Sequence, residues 1–198
     1  SASTYTMTID VTAVNDAPTA ADNTVTTNED TDHTFSESEF GFSDVDGDSL
    51  DHVSIETLPS NGTLLLDGVA VTLGQDIPAA DISNLVFRPA ADANGASYDT
   101  FTFSVNDGTT DSASTYTMTI DVTAVNDAPT ANDDTINVVS GTPATGNVVT
   151  SNDTDPDGDT LSVSAIAGGS PGSPITGTYG TFTPVSYTHL TLPTRRGV

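Results

Sequence analysis

The sequence predicts an all-β protein made of tandem β-sandwich repeats, and three observations support this prediction. Thr, Val, Ile, Phe and Tyr alternate along short segments, which turn dipeptides separate at regular intervals. Of the 28 acidic residues, 24 are Asp, which suits turns, and only four are Glu, which suits helices. A segment of 20 residues occurs twice without change, which is typical of a repeat array.

Charge and composition exclude several classes of function. The 198-residue chain has 28 acidic and three basic residues, a formal charge of −25 at pH 7. This charge excludes a nucleic-acid partner, because few groups can neutralise phosphates. No apolar run reaches the ~20 residues of a membrane-spanning helix, so direct membrane insertion by this chain is not expected. Cysteine is absent, and disulfides therefore cannot stabilise the fold.

The repeated segment fixes the expected domain boundaries. Residues 1–20 recur at 112–131, a period of 111 residues, which is close to the ~100 residues of a β-sandwich. We expect the last strand of a preceding repeat at 1–16, a complete repeat at 17–127 and a truncated repeat at 128–184. Ser1 does not look like the start of a signal peptide, and we expect the chain to be a fragment of a longer protein.

The C-terminal segment 185–198 differs from the rest in composition. It contains two of the three basic residues, Arg195 and Arg196. The stretch VSYTHLTLPT resembles the translation of an adapter used in short-read sequencing libraries. The alternative is an authentic β segment, since the stretch contains residues that suit a strand. We favour the artefact and leave this tail out of the predicted repeats.

Alternation and turn chemistry predict individual strands within the complete repeat. Residues 63–66 and 69–73 flank Asp67-Gly68, a pair typical of a two-residue type I′ hairpin turn. At most one helical turn is expected, within 76–84. Alternating side chains place one face of a strand in the core and the other in water. The residues predicted to face the core are Leu85, Phe87, Phe101, Phe103, Val105, Tyr116, Met118, Ile120 and Val122.

An aspartate-rich loop occurs in both repeats at the same offset. Asp44-Val45-Asp46-Gly47-Asp48 is echoed as Asp153-Thr154-Asp155-Pro156-Asp157-Gly158-Asp159. Carboxylates at every second position, with a Gly that lets the backbone turn, can bring several oxygens onto one ion. Ca²⁺ takes about six to eight oxygen ligands, whereas Zn²⁺ prefers His or Cys. The loops therefore predict Ca²⁺ as the cofactor; the alternative is a solvated acidic turn, which Asp-Gly pairs form by themselves.

Three short motifs resemble those of cadherin repeats. Residues 14–18, Val-Asn-Asp-Ala-Pro, recur at 125–129 and resemble the Asn-Asp-x-Ala-Pro linker. The Asn-Glu-Asp stretch at 28–30 is similar to the early acidic site of a cadherin repeat, and the Asp-Val-Asp stretch at 44–46 is similar to its Asp-x-Asp loop. Over residues 1–184 the sequence resembles cadherin-like or VCBS-type tandem repeats of large bacterial surface adhesins.

This resemblance implies a fold, a function and a set of ligands. The implied fold is an Ig-like, cadherin-like Greek-key β-sandwich, with one complete and two truncated repeats. The implied function is a calcium-binding structural repeat of a secreted or cell-surface adhesin, in which Ca²⁺ stiffens the junctions between repeats. The implied partners are adjacent repeats of the same chain, together with other cells or surface glycans. The implied metal ligands are Asn15, Asp16, Glu29, Asp30, Asp44, Asp46, Asp48, Asn126, Asp127, Asp155, Asp157 and Asp159.

Two alternatives to a structural repeat stay open. One is a sandwich that itself grips carbohydrate or another cell, which requires an exposed aromatic or apolar patch. Tyr98 and Phe40 are the only candidates for such a patch. The other is a non-catalytic spacer of a secreted multidomain enzyme.

No enzymatic role and no catalytic residue are predicted. Residues 168–172 match the Gly-x-Ser-x-Gly nucleophile elbow as a string. The residue after the nucleophile must donate its backbone N–H to the oxyanion hole, and Pro171 has none. The segment is therefore predicted to be a loop.

Overall fold

A computed structural model describes residues 3–134, 137, 139, 144–146, 152–163, 173, 175–177, 180–184 and 190–192. The chain divides into two compact units, Ser1–Val125 and Asn126–Val198, called unit 1 and unit 2. The described helices are two short 3₁₀ segments. None of the described helices has the length and apolar character needed to cross a membrane.

Unit 1 contains two sheets. Its strands are β1 Asn23–Asn28, β2 His33–Thr34, β3 His52–Ile55, β4 Thr63–Leu66, β5 Val69–Ala70, β6 Asp76–Pro78, β7 Leu85–Arg88, β8 Gly95–Asn106 and β9 Tyr116–Thr123. One sheet has the order β1-β9-β8-β3-β6 and the other has the order β2-β7-β4-β5. The pairing is antiparallel except between β1 and β9. The predicted all-β class is confirmed.

Unit 2 contains a four-stranded antiparallel sheet among its described residues. Its strands are β10 Ala144–Gly146, β11 Ile175–Gly177, β12 Gly180–Pro184 and β13 Leu190–Leu192, in the order β10-β13-β12-β11. Strand β13 lies in the C-terminal segment 185–198, whose interpretation as an adapter artefact stays a prediction. The predicted loop at 168–172 lies outside the described residues.

The core of unit 1 includes the side chains that the alternation selected and further ones that it did not, Phe35 and Phe40 among them. Phenylalanines cross it edge to face: the ring centroids of Phe35 and Phe101 are 5.7 Å apart, and those of Phe40 and Phe103 are 5.0 Å apart. Such pairs stabilise a core beyond the burial of their area. The predicted core residues that are buried are Leu85, Phe87, Phe101, Phe103, Val105, Met118, Ile120 and Val122, and Tyr116 is half-buried against them.

Two of the observed turns were predicted from local sequence, and one was not. Asp67 and Gly68 both have positive φ, 51° and 77°, as the predicted type I′ hairpin requires. A 3₁₀ segment at Ala79–Asn84 lies inside the range where one turn was expected. A second one at Glu37–Phe40 was not predicted. It begins with a capping box, in which the Glu39 carboxylate accepts the N–H of Ser36 at 2.7 Å.

One sequence has two different environments in unit 1. Tyr5, Met7, Ile9 and Val11 belong to residues 3–14, which form no sheet, and these four side chains are 78–93% exposed. Their counterparts in the repeated segment lie in β9, between β1 and β8, where Met118 is fully buried. The local sequence is the same, so the difference in burial comes from the strands available for pairing.

This contrast gives a matched test of the core. We expect Met118→Ala to lower the free energy of unfolding of unit 1 by about 2–5 kcal/mol, because it leaves a cavity. Met7→Ala, within the same Thr-Met-Thr sequence, should change it by less than about 0.5 kcal/mol. Urea denaturation measures both values. Equal losses would show that residues 3–14 are packed in solution.

Candidate metal centre

The aspartate loop of unit 1 is organised by one of its own carboxylates. Oδ1 of Asp44 accepts the backbone N–H of Asp46 at 2.8 Å and that of Asp48 at 3.1 Å. Gly47 has a φ of 86°, a left-handed conformation that Gly adopts at little cost. One carboxylate oxygen from each of the three aspartates lies within 4.8 Å of the others. The loop therefore gathers three oxygens around one small volume.

The second oxygen of Asp44 is the most informative atom in this cluster. Oδ2 of Asp44 is buried and has no hydrogen-bond partner among the described residues. A buried carboxylate oxygen without a partner is costly, and nearly all buried polar atoms in proteins are satisfied. Oxygens around a Ca²⁺ ion lie about 2.3–2.6 Å from it, so ligands up to roughly 5 Å apart fit the same ion. The loop thus has the oxygen type and the spacing that Ca²⁺ requires.

The linker before the repeat is bound to this loop. The backbone N–H of Asp16 donates to Oδ2 of Asp46 at 2.7 Å. Nδ2 of Asn15 donates to Oδ2 of Asp107 at 2.9 Å and to the carbonyl of Asp16 at 2.9 Å. The structure therefore bonds Asp16 to the predicted loop, whereas the side chain of Asn15 bonds to Asp107.

Asp107 is a residue of this region that the sequence did not single out. It is 9% exposed, and its Oδ1 accepts the N–H groups of Thr109 and Thr110, each at 2.7 Å. The hydrogen bond from Asn15, and then those from the backbone, lower the pKa of Asp107. Its Asn-Asp-Gly sequence is typical of a turn, and the bond from distant Asn15 leaves no signal in that local pattern.

Unit 2 repeats the hydrogen bonds of the loop and linker, but among the described residues the oxygens of Asp155, Asp157 and Asp159 do not form a close group like that of the unit 1 loop. Oδ1 of Asp155 accepts the N–H groups of Asp157 and Asp159, each at 3.1 Å. The N–H of Asp127 donates to Oδ2 of Asp157 at 2.7 Å, and Nδ2 of Asn126 donates to the carbonyl of Asp127 at 2.9 Å. These bonds correspond one by one to those of Asp44, Asp46, Asp48, Asn15 and Asp16. The arrangement is thus encoded by the motif.

The loop of unit 2 lines a cleft of about 490 Å³ within that unit. Asp153, which belongs to the predicted aspartate-rich motif but not to the implied ligands, also lines the cleft, and its Oδ1 accepts the N–H of Asn132 at 2.8 Å. The acidic and amide residues along the cleft are Asn126, Asp127, Asn132, Asp153, Asp155 and Asp159.

Glu29 and Asp30 lie apart from the aspartate loop of unit 1. Glu29 is 3% exposed, and its carboxylate accepts Nδ2 of Asn94 at 2.9 Å and the N–H of Val125 at 2.5 Å. The bond from Asn94, followed by the bond from Val125, lowers the pKa of Glu29. Oδ1 of exposed Asp30 accepts the N–H of Asp92 at 3.3 Å. Glu29 thus holds the backbone just after the end of β9, and its role as a metal ligand stays a prediction.

The predicted aromatic patch is not formed by its two candidates. Phe40 is fully buried in the core, so the expectation that it could face a ligand is wrong. The capped 3₁₀ turn that precedes it ends with this side chain pointing inward. Tyr98 is half-buried against Phe87, and its hydroxyl donates to the carbonyl of Asn61 at 2.9 Å. Both aromatic rings therefore serve the fold.

Comparison with known families identifies the repeats. Residues 15–123 and 126–193 each match the bacterial Ig domain. The chain belongs to the bacterial Ig domain family. The match confirms tandem Ig-like repeats, and such domains are typically non-catalytic modules of surface proteins. The second match extends into the segment 185–198. No match was found among curated proteins or among solved structures.

Three carboxylates with lowered pKa values predict that the free energy of unfolding, measured in chelator, falls as the pH becomes acidic. Glu29, Asp32 beside Arg88, and Asp107 all have folded-state pKa values below their ordinary ones. Their contribution is therefore complete above about pH 5 and is lost as the pH falls through the folded-state values. Glu29→Gln should lower the stability at neutral pH and reduce the amount of stability that is lost between neutral and acidic pH. Urea denaturation from neutral to acidic pH measures this dependence.

Glu37→Gln is the matched control for Glu29→Gln. Glu37 is exposed on the 3₁₀ turn and makes neither of the bonds that Glu29 makes. Its replacement should leave the acid dependence unchanged. An unchanged acid slope in the Glu29→Gln variant would contradict the role given to Glu29.

Proposed function

We propose that this chain is a calcium-binding structural repeat of a bacterial adhesin at the cell surface or secreted from the cell. Membership in the bacterial Ig domain family supports the structural repeat of a surface protein. The finer part, calcium binding, is supported above all by the buried, unpartnered Oδ2 of Asp44 among the converging oxygens of Asp44, Asp46 and Asp48.

Electrostatics explains why a cation would matter here. The complete repeat 17–127 carries 20 acidic residues and only Arg88, a net charge of −19. Arg88 is already bound to Asp32 through two bonds of 2.8 and 2.7 Å. Like charges that are close together destabilise a compact state. A divalent ion in each loop would cancel the densest clusters.

The protein supplies an arranged site. Because Asp44 holds two backbone N–H groups of its own loop, the three carboxylates stay close together without an ion. Binding of the ion would then cost less conformational entropy, because the loop is already ordered, as in other preorganised sites. Asp44, Asp46 and Asp48 are its proposed ligands in unit 1, and Asp155, Asp157 and Asp159 are the proposed ligands in unit 2.

The linker residues connect calcium binding to stiffness. Asp16 and Asp127 each donate a backbone N–H to the second aspartate of the loop in the same unit. An ion that fixes the loop would therefore also fix the linker that enters the repeat. Domains joined by free linkers move relative to one another. Extracellular modules bind Ca²⁺ with Kd values of about 10⁻⁴–10⁻³ M, which suits sites that fill outside the cell.

The alternatives are weaker on these observations. A sandwich that grips glycans or cells would need the aromatic patch that Phe40 and Tyr98 do not provide. A spacer in a secreted multidomain enzyme shares the proposed role and differs in what the repeats connect. We favour the adhesin, because bacterial Ig domains usually occur in surface proteins.

Calcium should stabilise the protein, and Asp44→Asn should remove the part of this stabilisation that comes from the loop of unit 1. At about 100-fold excess over Kd, one ion adds about 2.7 kcal/mol. Asn can still accept the loop N–H bonds but lacks the charge, so we expect Asp44→Asn to be as stable as the wild type in chelator. In Ca²⁺ it should be less stable than the wild type. Thermal melts in both conditions measure the difference.

The control is Asp67→Asn at the exposed hairpin turn, which should respond to Ca²⁺ as the wild type does. Asp155→Asn tests the second loop in the same way. Equal melting temperatures of the wild type in Ca²⁺ and in chelator would defeat the proposal.

A linker variant tests whether the linker and the loop act together. The resemblance also implies the Asp16 carboxylate as a ligand, and Asp16→Asn removes its charge while keeping the backbone N–H bond to Asp46. We therefore expect this variant to weaken binding at the loop of unit 1 by about tenfold, equivalent to about 1.4 kcal/mol. Asp10→Asn, at an exposed position on residues 3–14, should leave the affinity unchanged. Calorimetric titration with Ca²⁺ measures both. Identical isotherms for the two variants would place the ion in the loop alone.

A further inference from the structure

The sequence contains two Asn-Gly pairs, Asn61-Gly62 and Asn94-Gly95, and both lie in unit 1. Such a pair is chemically labile in a mobile chain. The Gly nitrogen attacks the side-chain carbon Cγ of Asn, a new N–Cγ bond forms, and ammonia leaves with the amide nitrogen. Water then opens the resulting succinimide to aspartate or isoaspartate.

We propose that Asp99 holds Asn61-Gly62 closed to this reaction, so that Asn61 is a latent deamidation site which opens only when the repeat unfolds. Asp99 is 4% exposed. Its Oδ2 accepts the N–H of Gly62 and the N–H of Asn61, each at 2.8 Å. Its Oδ1 accepts the N–H of Ser60 at 2.9 Å. The attacking nitrogen is thus bound to a buried carboxylate.

The leaving amide is held as well. Nδ2 of Asn61 donates to the carbonyl of Tyr98 at 2.8 Å, and the hydroxyl of Tyr98 donates to the carbonyl of Asn61 at 2.9 Å. Ring closure must break both the Gly62–Asp99 bond and the Asn61–Tyr98 bond. The side chain of Asn61 is exposed, so protection comes from these bonds and not from exclusion of water.

The product does not fit the loop. A Cβ on Gly62 would lie 2.3 Å from Cζ of Phe87 and 2.7 Å from the carbonyl oxygen of Arg88, so the main chain has no spare room there. Isoaspartate lengthens the main chain at this point by one methylene. Aspartate places a carboxylate oxygen against the carbonyl of Tyr98, where the amide had donated. A repeat modified while unfolded therefore cannot regain this loop.

Asn94-Gly95 provides an internal reference. The side chain of Asn94 is also exposed, and its Nδ2 donates to Oε2 of Glu29. In the unfolded chain the two pairs share the same reactive dipeptide and should react at similar rates. Any extra protection of Asn61 in the folded protein therefore reports the Asp99 contacts.

The test is peptide mapping by mass spectrometry of the full chain after incubation at mildly alkaline pH, folded and in urea. We expect conversion of Asn61 to be slower in the folded protein by about tenfold or more, the effect of one hydrogen bond to a charged group on a barrier. We also expect Asn61 to be protected more than Asn94. Equal protection of both, or equal rates in the two conditions, would overturn the proposal.

The variant Asp99→Asn distinguishes protection of Asn61 by Asp99 from catalysis of its deamidation by Asp99. If Asp99 protects, this variant speeds conversion of Asn61 in the folded state and leaves the rate in urea unchanged. If Asp99 instead takes the Gly62 proton as a base, the variant slows conversion, which overturns the proposal. Asp111→Asn, at an exposed position, is the control. Should Asp99→Asn fail to fold, the comparison of Asn61 with Asn94 in the wild type still decides.

Discussion

Carboxylates that accept backbone N–H groups organise the loops of this repeat. Asp44, Asp99 and Asp107 each hold at least two such groups, at positions where the chain turns. The complete repeat has Arg88 as its one arginine and no lysine, so most of its acids cannot pair with either residue type; among the described residues only Asp32 is paired with an arginine. Hydrogen bonds from the backbone stabilise a carboxylate without cancelling its charge. The fold therefore keeps its negative charge in fixed places.

The carboxylates of Asp99 and Asp44 differ in how many of their oxygens accept hydrogen bonds. At Asp99 both oxygens are used by surrounding donors, and the result is a rigid loop. At Asp44 one oxygen serves the loop while the other is buried without a partner, beside two further carboxylates. The same interaction thus satisfies both oxygens of Asp99 and leaves one oxygen of Asp44 without a hydrogen bond among the described residues. This difference, more than the number of acids, distinguishes a structural aspartate from a candidate ligand.

The sequence predicted those features that depend on neighbouring residues. Alternation identified the buried faces of β8 and β9, Asp67-Gly68 identified a hairpin, and the spacing of Asp44, Asp46 and Asp48 identified a loop whose oxygens converge. It did not identify Asp99 or Asp107, whose partners are 39 and 92 positions away in the chain. Burial of Phe40 was missed for a related reason, since the core forms only when both sheets are present.

The copy of the repeated segment at residues 112–131 contains both the last strand of unit 1 and the linker that follows it. Its first half forms β9 in unit 1, and its second half carries the Asn-Asp pair that bonds to an aspartate loop. Glu29 holds the N–H of Val125 within unit 1, and Asp157 holds the N–H of Asp127 within unit 2. Each bond comes from a carboxylate of its own unit. In both units an aspartate of the loop accepts the N–H of the linker residue that precedes the repeat, so the sequence motif that forms the loop also provides a bond to its linker.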